Sequence, residues 1–155
     1  MLQNYKELFQ DFNESSRVWV YASNKALNAT EIHFVQDEIN NFVQQWATHG
    51  KELVAKGAVL FNRFIILAVD EQKVGASGCS IDSSVHFVKA LGAELNVNFF
   101  DRLNVYITKD QQIERVHISD LSNHTDWNLF NPLIANLEQL NNAWIVPVKE
   151  SVLYR

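Results

Sequence analysis

The chain has 155 residues, 47% of them hydrophobic and 12% aromatic, with a formal net charge of −5. This is the length of one domain, enough to bury roughly 70% of the surface the unfolded chain exposes, and the composition is that of a packed core rather than a disordered polymer. The acidic balance, with no cluster of lysines and arginines, argues against nucleic acid, which needs a basic footprint, and against a membrane surface.

Residues 1–7 lack the charged-then-apolar build of a signal peptide, and the longest apolar run, residues 64–69, is far too short to span a bilayer, so no membrane insertion is expected. A single cysteine excludes an internal disulfide and any CxxC pair, which makes the reducing cytoplasm the expected location. No linker, repeat or low-complexity tract divides the chain, and only two prolines punctuate it; residues 1–155 read as a single α+β domain.

In chain order, Leu2, Tyr5, Phe9 and Phe12 recur at helical spacing and predict a short first helix ending at Asn13-Glu14-Ser15-Ser16. Val18-Trp19-Val20-Tyr21 is β-branched and aromatic, a strand. Asn28 with Glu31 forms a capping box, Leu27 with Ile32 can staple it, and Ile32, Val35, Ile39, Phe42, Val43 and Trp46 line one face of a long helix that Gly50 can terminate.

Residues 53–61 and 64–69 predict two strands joined at Asn62-Arg63, the second too apolar for a solvated edge; one long bent strand is the alternative. Ile81, Val85, Val88, Leu91 and Leu95 mark a second amphipathic helix. Val105 and Ile107, a turn at residues 109–112, and Val116 and Ile118 make a hairpin. A last helix is expected to begin at Asn131-Pro132, with Leu133, Leu137, Leu140 and Trp144 as its buried stripe. The order strand–helix–strand–strand–helix–strand is that of the ferredoxin-like βαββαβ motif, mostly antiparallel, here extended by a hairpin and a C-terminal helix.

The stretch from Gly75 to Ser84 concentrates the candidate chemistry. It holds the cysteine, four hydroxyls and two of the five glycines, where a helix N-terminus presents unpaired N–H groups and a partial positive charge. There the Cys79 thiolate is favoured, Ser77, Ser80 and Ser83 can donate to an anion, and Gly75 and Gly78 permit close backbone approach. The alternative is that Cys79 is a small buried residue and Ser80 or Asp82 only caps the helix.

Hairpin geometry carries His49 and Gly50 to the sheet edge where Asp70 ends its strand. A Cys79–His49–Asp70 catalytic relay is therefore allowed, and Arg17 reaches that edge too, whereas Arg63 lies about 23 Å away along the strand. Ser77, Gly78, Ser80, Asp82 and Arg17 are the candidate ligand-binding residues for a small anionic ligand. The alternative assigns His49 to capping the preceding helix and Asp70 to ending a strand.

His117 and His124 flank Asp120, and His86 follows Asp82 by four residues, but neither set has three ligands at a metal-binding spacing, so no metal or other cofactor is expected. No G-x-x-x-x-G-K-[ST] or G-x-G-x-x-G exists. Trp19, Trp46, Trp127 and Trp144 can line a pocket, though three of them fall on predicted apolar faces.

Arg17-Val18-Trp19-Val20-Tyr21, Trp46 with His49-Gly50, Arg63-Phe64-Ile65-Ile66 and Ala76-Ser77-Gly78-Cys79-Ser80-Ile81-Asp82 resemble a small uncharacterised family of Bacteroidetes, out to Trp144 and Pro147. Members of that family often carry the label "ABC transporter ATPase". This chain has no Walker A lysine, no apolar run ending in paired acids and no LSGGQ-type signature, so the resemblance implies relatives and no activity. Three functions follow as expectations: a non-catalytic structural or protein-interaction domain first, then a module for a small anionic ligand, then a cysteine-dependent enzyme.

Overall fold

The computed structural model describes residues 5–154. Its elements are β1 (Arg17–Ala22), α1 (Ala29–Gln45), β2 (Ala47–Thr48), β3 (Lys51–Glu52), β4 (Val54–Leu60), β5 (Phe64–Asp70), α2 (Gly78–Leu95), β6 (Asn104–Lys109), β7 (Gln112–His117), β8 (Asn128–Phe130), α3 (Leu137–Ala143) and β9 (Ile145–Pro147). Short 3-10 helices follow β7 and β9. The class is α+β, with antiparallel pairing throughout.

A three-stranded sheet of order β1-β5-β4 forms the centre. Its apolar middle strand β5 alternates sides. Phe64, Ile66 and Ala68 pack with Tyr5, Phe9, Phe12, Phe130 and Trp144, while Ile65, Leu67 and Val69 pack with Val35, Ile39, Trp46, Val88 and Leu91 of the helical side. A strand buried on both faces needs no alternation in its sequence, which explains the unbroken run. β4 and β5 form the expected hairpin in register Leu60↔Phe64, with a three-residue loop in which Phe61 (φ 53°) and Asn62 (φ 60°) take the left-handed region.

The order β1-β5-β4 is the first three-strand portion of a ferredoxin-like sheet, but β6 does not return to pair with β1. It enters a second, four-stranded sheet of order β7-β6-β8-β9. The edge of β1 that a fourth strand would occupy is instead touched by a single bridge, Arg17↔Asn136.

Other expectations are corrected at the ends of elements. Residues 5–16 form successive turns with i→i−3 bonds (Phe12 N to Phe9 O, 2.9 Å; Ser16 N to Asn13 O, 2.9 Å) rather than a helix, although Tyr5, Phe9 and Phe12 are buried; Leu2 lies outside the described residues. The Asn28–Glu31 capping box forms, but α1 stops at Gln45. Gly50 (φ 77°) and His49 (φ 49°) turn the β2–β3 ribbon, so neither caps α1.

The β6–β7 turn is tighter than expected, at Asp110-Gln111, and Ile118 has already left the strand. α3 starts at Leu137 behind an Asn136 cap, not at Asn131-Pro132. Leu133 is therefore 59% exposed rather than buried, while Leu137, Leu140 and Trp144 keep the expected stripe.

Candidate functional site

The loop that carries Cys79 is fastened from three sides. Ser77 is the N-cap of α2: its Oγ accepts from Ser80 N (3.3 Å), and Ser80 Oγ accepts from Ser77 N (2.7 Å), a reciprocal capping box. The Thr48 hydroxyl donates to Ser77 Oγ, Trp46 Nε1 donates to Ser80 O (2.8 Å), and Ala76 N donates to Glu71 Oε2 (2.8 Å). Ser80 is buried, and Ser83 Oγ donates back to Cys79 O (3.0 Å). Three of the hydroxyls read as anion donors are thus engaged within the chain. The amides of Gly78 and Cys79, in the exposed first turn, have no partner among the described residues.

Cys79 and His49 are both exposed. The Thr48–Ser77 contact brings the tip of the β2–β3 ribbon to the start of α2, as hairpin geometry implies. Yet among the described residues no hydrogen bond, ion pair or ring contact joins His49, Asp70 and Cys79. Asp70 Oδ1 accepts from Gln72 N (3.1 Å), and its backbone faces Val54. The carboxylate that reaches the loop is Glu71, which also lies 3.7 Å from Arg17 Nε. Arg17 in turn sits over the Trp19 ring at 5.1 Å. Asp82 is exposed on α2.

The histidines are local: His117 Nδ1 contacts Ser119 Oγ at 2.8 Å and His124 Nδ1 contacts Asp120 O at 3.0 Å. Among the described residues no three histidine, cysteine, aspartate or glutamate side chains are grouped to hold a metal ion, and no helix is long and apolar enough to cross a membrane.

A larger feature lies elsewhere, between the two sheets. A cavity of about 610 Å³ runs along β1, all of which (Arg17–Ala22) lines it, together with Ile81 and Val85 of α2, Phe99–Arg102 ahead of β6, and Leu133 with Ile134 ahead of α3. This volume is in the range of ligand and peptide clefts. Of the residues singled out in the sequence as anion-binding candidates only Arg17 lines it, and of the four tryptophans Trp19 and Trp144 do.

The hydrogen-bond geometry of β1 explains what the cavity exposes. Ser23 N donates to Arg63 O (2.7 Å), which continues the β1–β5 register and makes the odd-numbered residues of β1 the ones bonded to β5. The even-numbered residues turn their N–H and C=O groups outward. Val18 N is met by Ala135 O (3.0 Å), and Ser16 O by Leu137 N (2.9 Å). The chain then diverges, with Leu133 N turning to Asn131 Oδ1 (2.9 Å). The outward groups of Val20 and Ala22 are left without a partner among the described residues, facing the cavity.

The opposite edge is partly covered. Gln36 of α1 lays its side-chain amide along β4, donating from Nε2 to Gly57 O (3.2 Å) and accepting at Oε1 from Val59 N (3.0 Å). One side chain thereby satisfies one donor and one acceptor of that edge, as a neighbouring strand does. α1 thus covers part of the β4 edge, whereas the Val20 and Ala22 stretch of β1 opens into the cavity.

Three charged residues line the cavity, Arg17, Asp101 and Arg102. The Asp101 carboxyl is held below its ordinary pKa by hydrogen bonds from the Asn104 side chain and Leu103 N, with Arg115 adding its charge. Its charge is therefore compensated. Arg102, next to it, is exposed and makes no ion pair, hydrogen bond or ring contact among the described residues.

The sequence reading recognised β1 as a strand but not as an open edge. Edge status depends on β6 choosing the second sheet, and nothing local in residues 17–22 reports that choice. The chain matches no protein-family model, no curated protein and no solved structure.

Proposed function

We propose that this protein is a non-catalytic interaction domain that receives an extended segment of another protein along the outer edge of β1. The observation that carries this reading is the set of unpartnered backbone groups at Val20 and Ala22, opening into a largely apolar cavity, while Gln36 lies across part of the other edge of the same sheet. An exposed strand edge is a template for strand addition. Main-chain bonds supply affinity there, and pockets for alternate side chains supply specificity. Ala135 blocks one end and the Asn24–Asn98 contact (2.9 Å) the other, so the added strand is short.

The arrangement at Cys79 supports the same choice. A thiol enzyme needs a base oriented on the sulfur; here the neighbouring hydroxyls cap a helix and the nearest engaged carboxylate, Glu71, is turned to Ala76 and Arg17. We place the protein in the reducing cytoplasm, where its one exposed thiol stays free.

The test is an NMR titration of the ¹⁵N-labelled protein with a panel of short peptides rich in alternating β-branched residues. Shift changes confined to residues 17–23, 99–104 and 131–135 support the proposal. Changes centred on residues 75–83, with β1 unmoved, overturn it.

A further inference from the structure

Resting on the strand-addition reading above, we infer that the segment received at β1 carries a carboxylate, which Arg102 binds. The cavity has three charged residues on its walls: Arg17, Asp101 and Arg102. Arg17 is already shared between Glu71 and the face of Trp19, and Asp101 is compensated by Arg115 and two amide donors. The one uncompensated charge is therefore the guanidinium of Arg102, in a protein whose net charge is −5. An unpaired guanidinium on the wall of an apolar cleft, with Lys89 nearby over the Phe100 ring at 5.7 Å, favours a carboxylate at that end of the cleft by short-range pairing that must outweigh the repulsion of the protein's net negative charge.

Its position suits an occupant already aligned on β1. The Phe100 ring lies 5.5 Å from that of Tyr21, which places the segment ahead of β6 beside the Ala22 end of the open edge. Arg17 marks the other end, five residues away, or about 17 Å along an extended strand. A peptide bonded to Val20 and Ala22 thus presents one end to Arg102. A guanidinium can take a carboxylate there through two parallel N–H donors, whether it comes from a side chain or from a chain terminus.

The test uses fluorescein-labelled hexapeptides of alternating valine and threonine in three forms: ending in glutamate with an amidated terminus, ending in glutamine with an amidated terminus, and ending in glutamine with a free carboxylate. Each is titrated by fluorescence anisotropy against the wild type, Arg102→Gln and Val20→Pro. Proline at Val20 removes an outward N–H that the β1–β5 ladder does not use, so the sheet retains its own bonds. Circular dichroism and thermal melting confirm that both variants are folded.

The expected result is that at least one carboxylate-bearing peptide binds the wild type about threefold or more tightly than the neutral one, a preference abolished by Arg102→Gln and reduced by salt. Val20→Pro weakens all three by about tenfold. The side-chain and terminal forms identify which source of carboxylate the edge prefers. If all three peptides bind alike and Arg102→Gln changes nothing while Val20→Pro still weakens them, the carboxylate inference fails and strand addition stands. If Val20→Pro has no effect on binding, or no peptide binds, both fail. Sedimentation equilibrium of the free protein covers the remaining occupant: a dimer lost in Val20→Pro means that a second copy fills the edge, which overturns the proposal.

Discussion

At the scale of single residues, Cys79 is decided by its exposure and its neighbours. It occupies the second position of α2, in water, with Ser77 and Ser80 committed to each other and to Thr48 and Trp46. Iodoacetamide is expected to label it in the native protein at the rate of an unfolded control, within a few-fold. Cys79→Ser is expected to shift stability by less than about 0.5 kcal/mol and to leave peptide binding at β1 unchanged. Loss of peptide binding in that variant would return the thiol to the functional site. Ser77 is the opposite case. Its hydroxyl caps the helix and also receives Thr48, so Ser77→Ala is expected to lower stability by about 1–2 kcal/mol in urea denaturation, whereas Ser83→Ala, which removes one exposed bond, is expected to be near neutral.

At the scale of elements, the cover that α1 gives to the β4 edge depends on how closely that helix lies against the strand. Gly57 permits it: a Cβ there would overlap Ile39 Cγ2 and come within 2.9 Å of Leu67 Cδ2, both in the packed core. Gly57→Ala is expected to destabilise by about 1–3 kcal/mol through overpacking, and, by pushing α1 outward, to lengthen the Gln36 bonds to Gly57 O and Val59 N. Faster amide exchange at Val59 would register the second effect; an unchanged Val59 with lowered stability would confine the glycine's role to packing.

Much of this level was legible in the chain, for identifiable reasons. The Asn28–Glu31 box and the 54–70 hairpin rest on contacts between residues close in sequence, which periodicity and cap chemistry report directly. The first helix does not form because Tyr5, against Phe61 and Trp144, and Phe9 and Phe12, in the same cluster, are buried by distant parts of the chain, and that packing is met by turns as well as by a helix. Gly50 and Pro132 were read as helix punctuation; both serve turns, since a glycine with positive φ suits a hairpin as well as a helix end. Of the candidate site, the neighbourhood of Thr48, Glu71 and Ser77 was legible at the level of the sheet edge. The cavity was not, because its walls come from residues 99–106 and 130–135, brought to β1 only by the second sheet.

At the scale of the whole molecule, three buried tyrosines link folding to alkaline pH. Burial raises the phenols of Tyr5, Tyr21 and Tyr106 above their ordinary value, with Arg63 and Arg115 only partly opposing this at Tyr106. A raised folded-state pKa favours the folded form as long as the phenol keeps its proton. The stabilisation is fully present below about pH 10, the unfolded value, and is lost as pH rises from there through the folded values. The urea midpoint is therefore expected to hold steady from pH 7 to 9 and to fall above about 10. In a Tyr154→Phe variant, tyrosinate absorbance at 295 nm should grow in step with unfolding rather than before it. Phenolate forming at Tyr5, Tyr21 or Tyr106 in the folded protein at about pH 10, resolved residue by residue by NMR, would show that these hydroxyls reach water.

The central claim is that the sheet is open along β1, and amide hydrogen exchange addresses it residue by residue. The ladder geometry predicts alternation in the free protein: Trp19 and Tyr21, bonded to β5, exchange slowly, while Val20 and Ala22 exchange fast. Saturation with a binding peptide is predicted to slow Val20 and Ala22 and leave the already slow pair unchanged. Val20 and Ala22 that are protected before any peptide is added, or that stay fast when it is bound, would contradict the open edge and with it the interaction site.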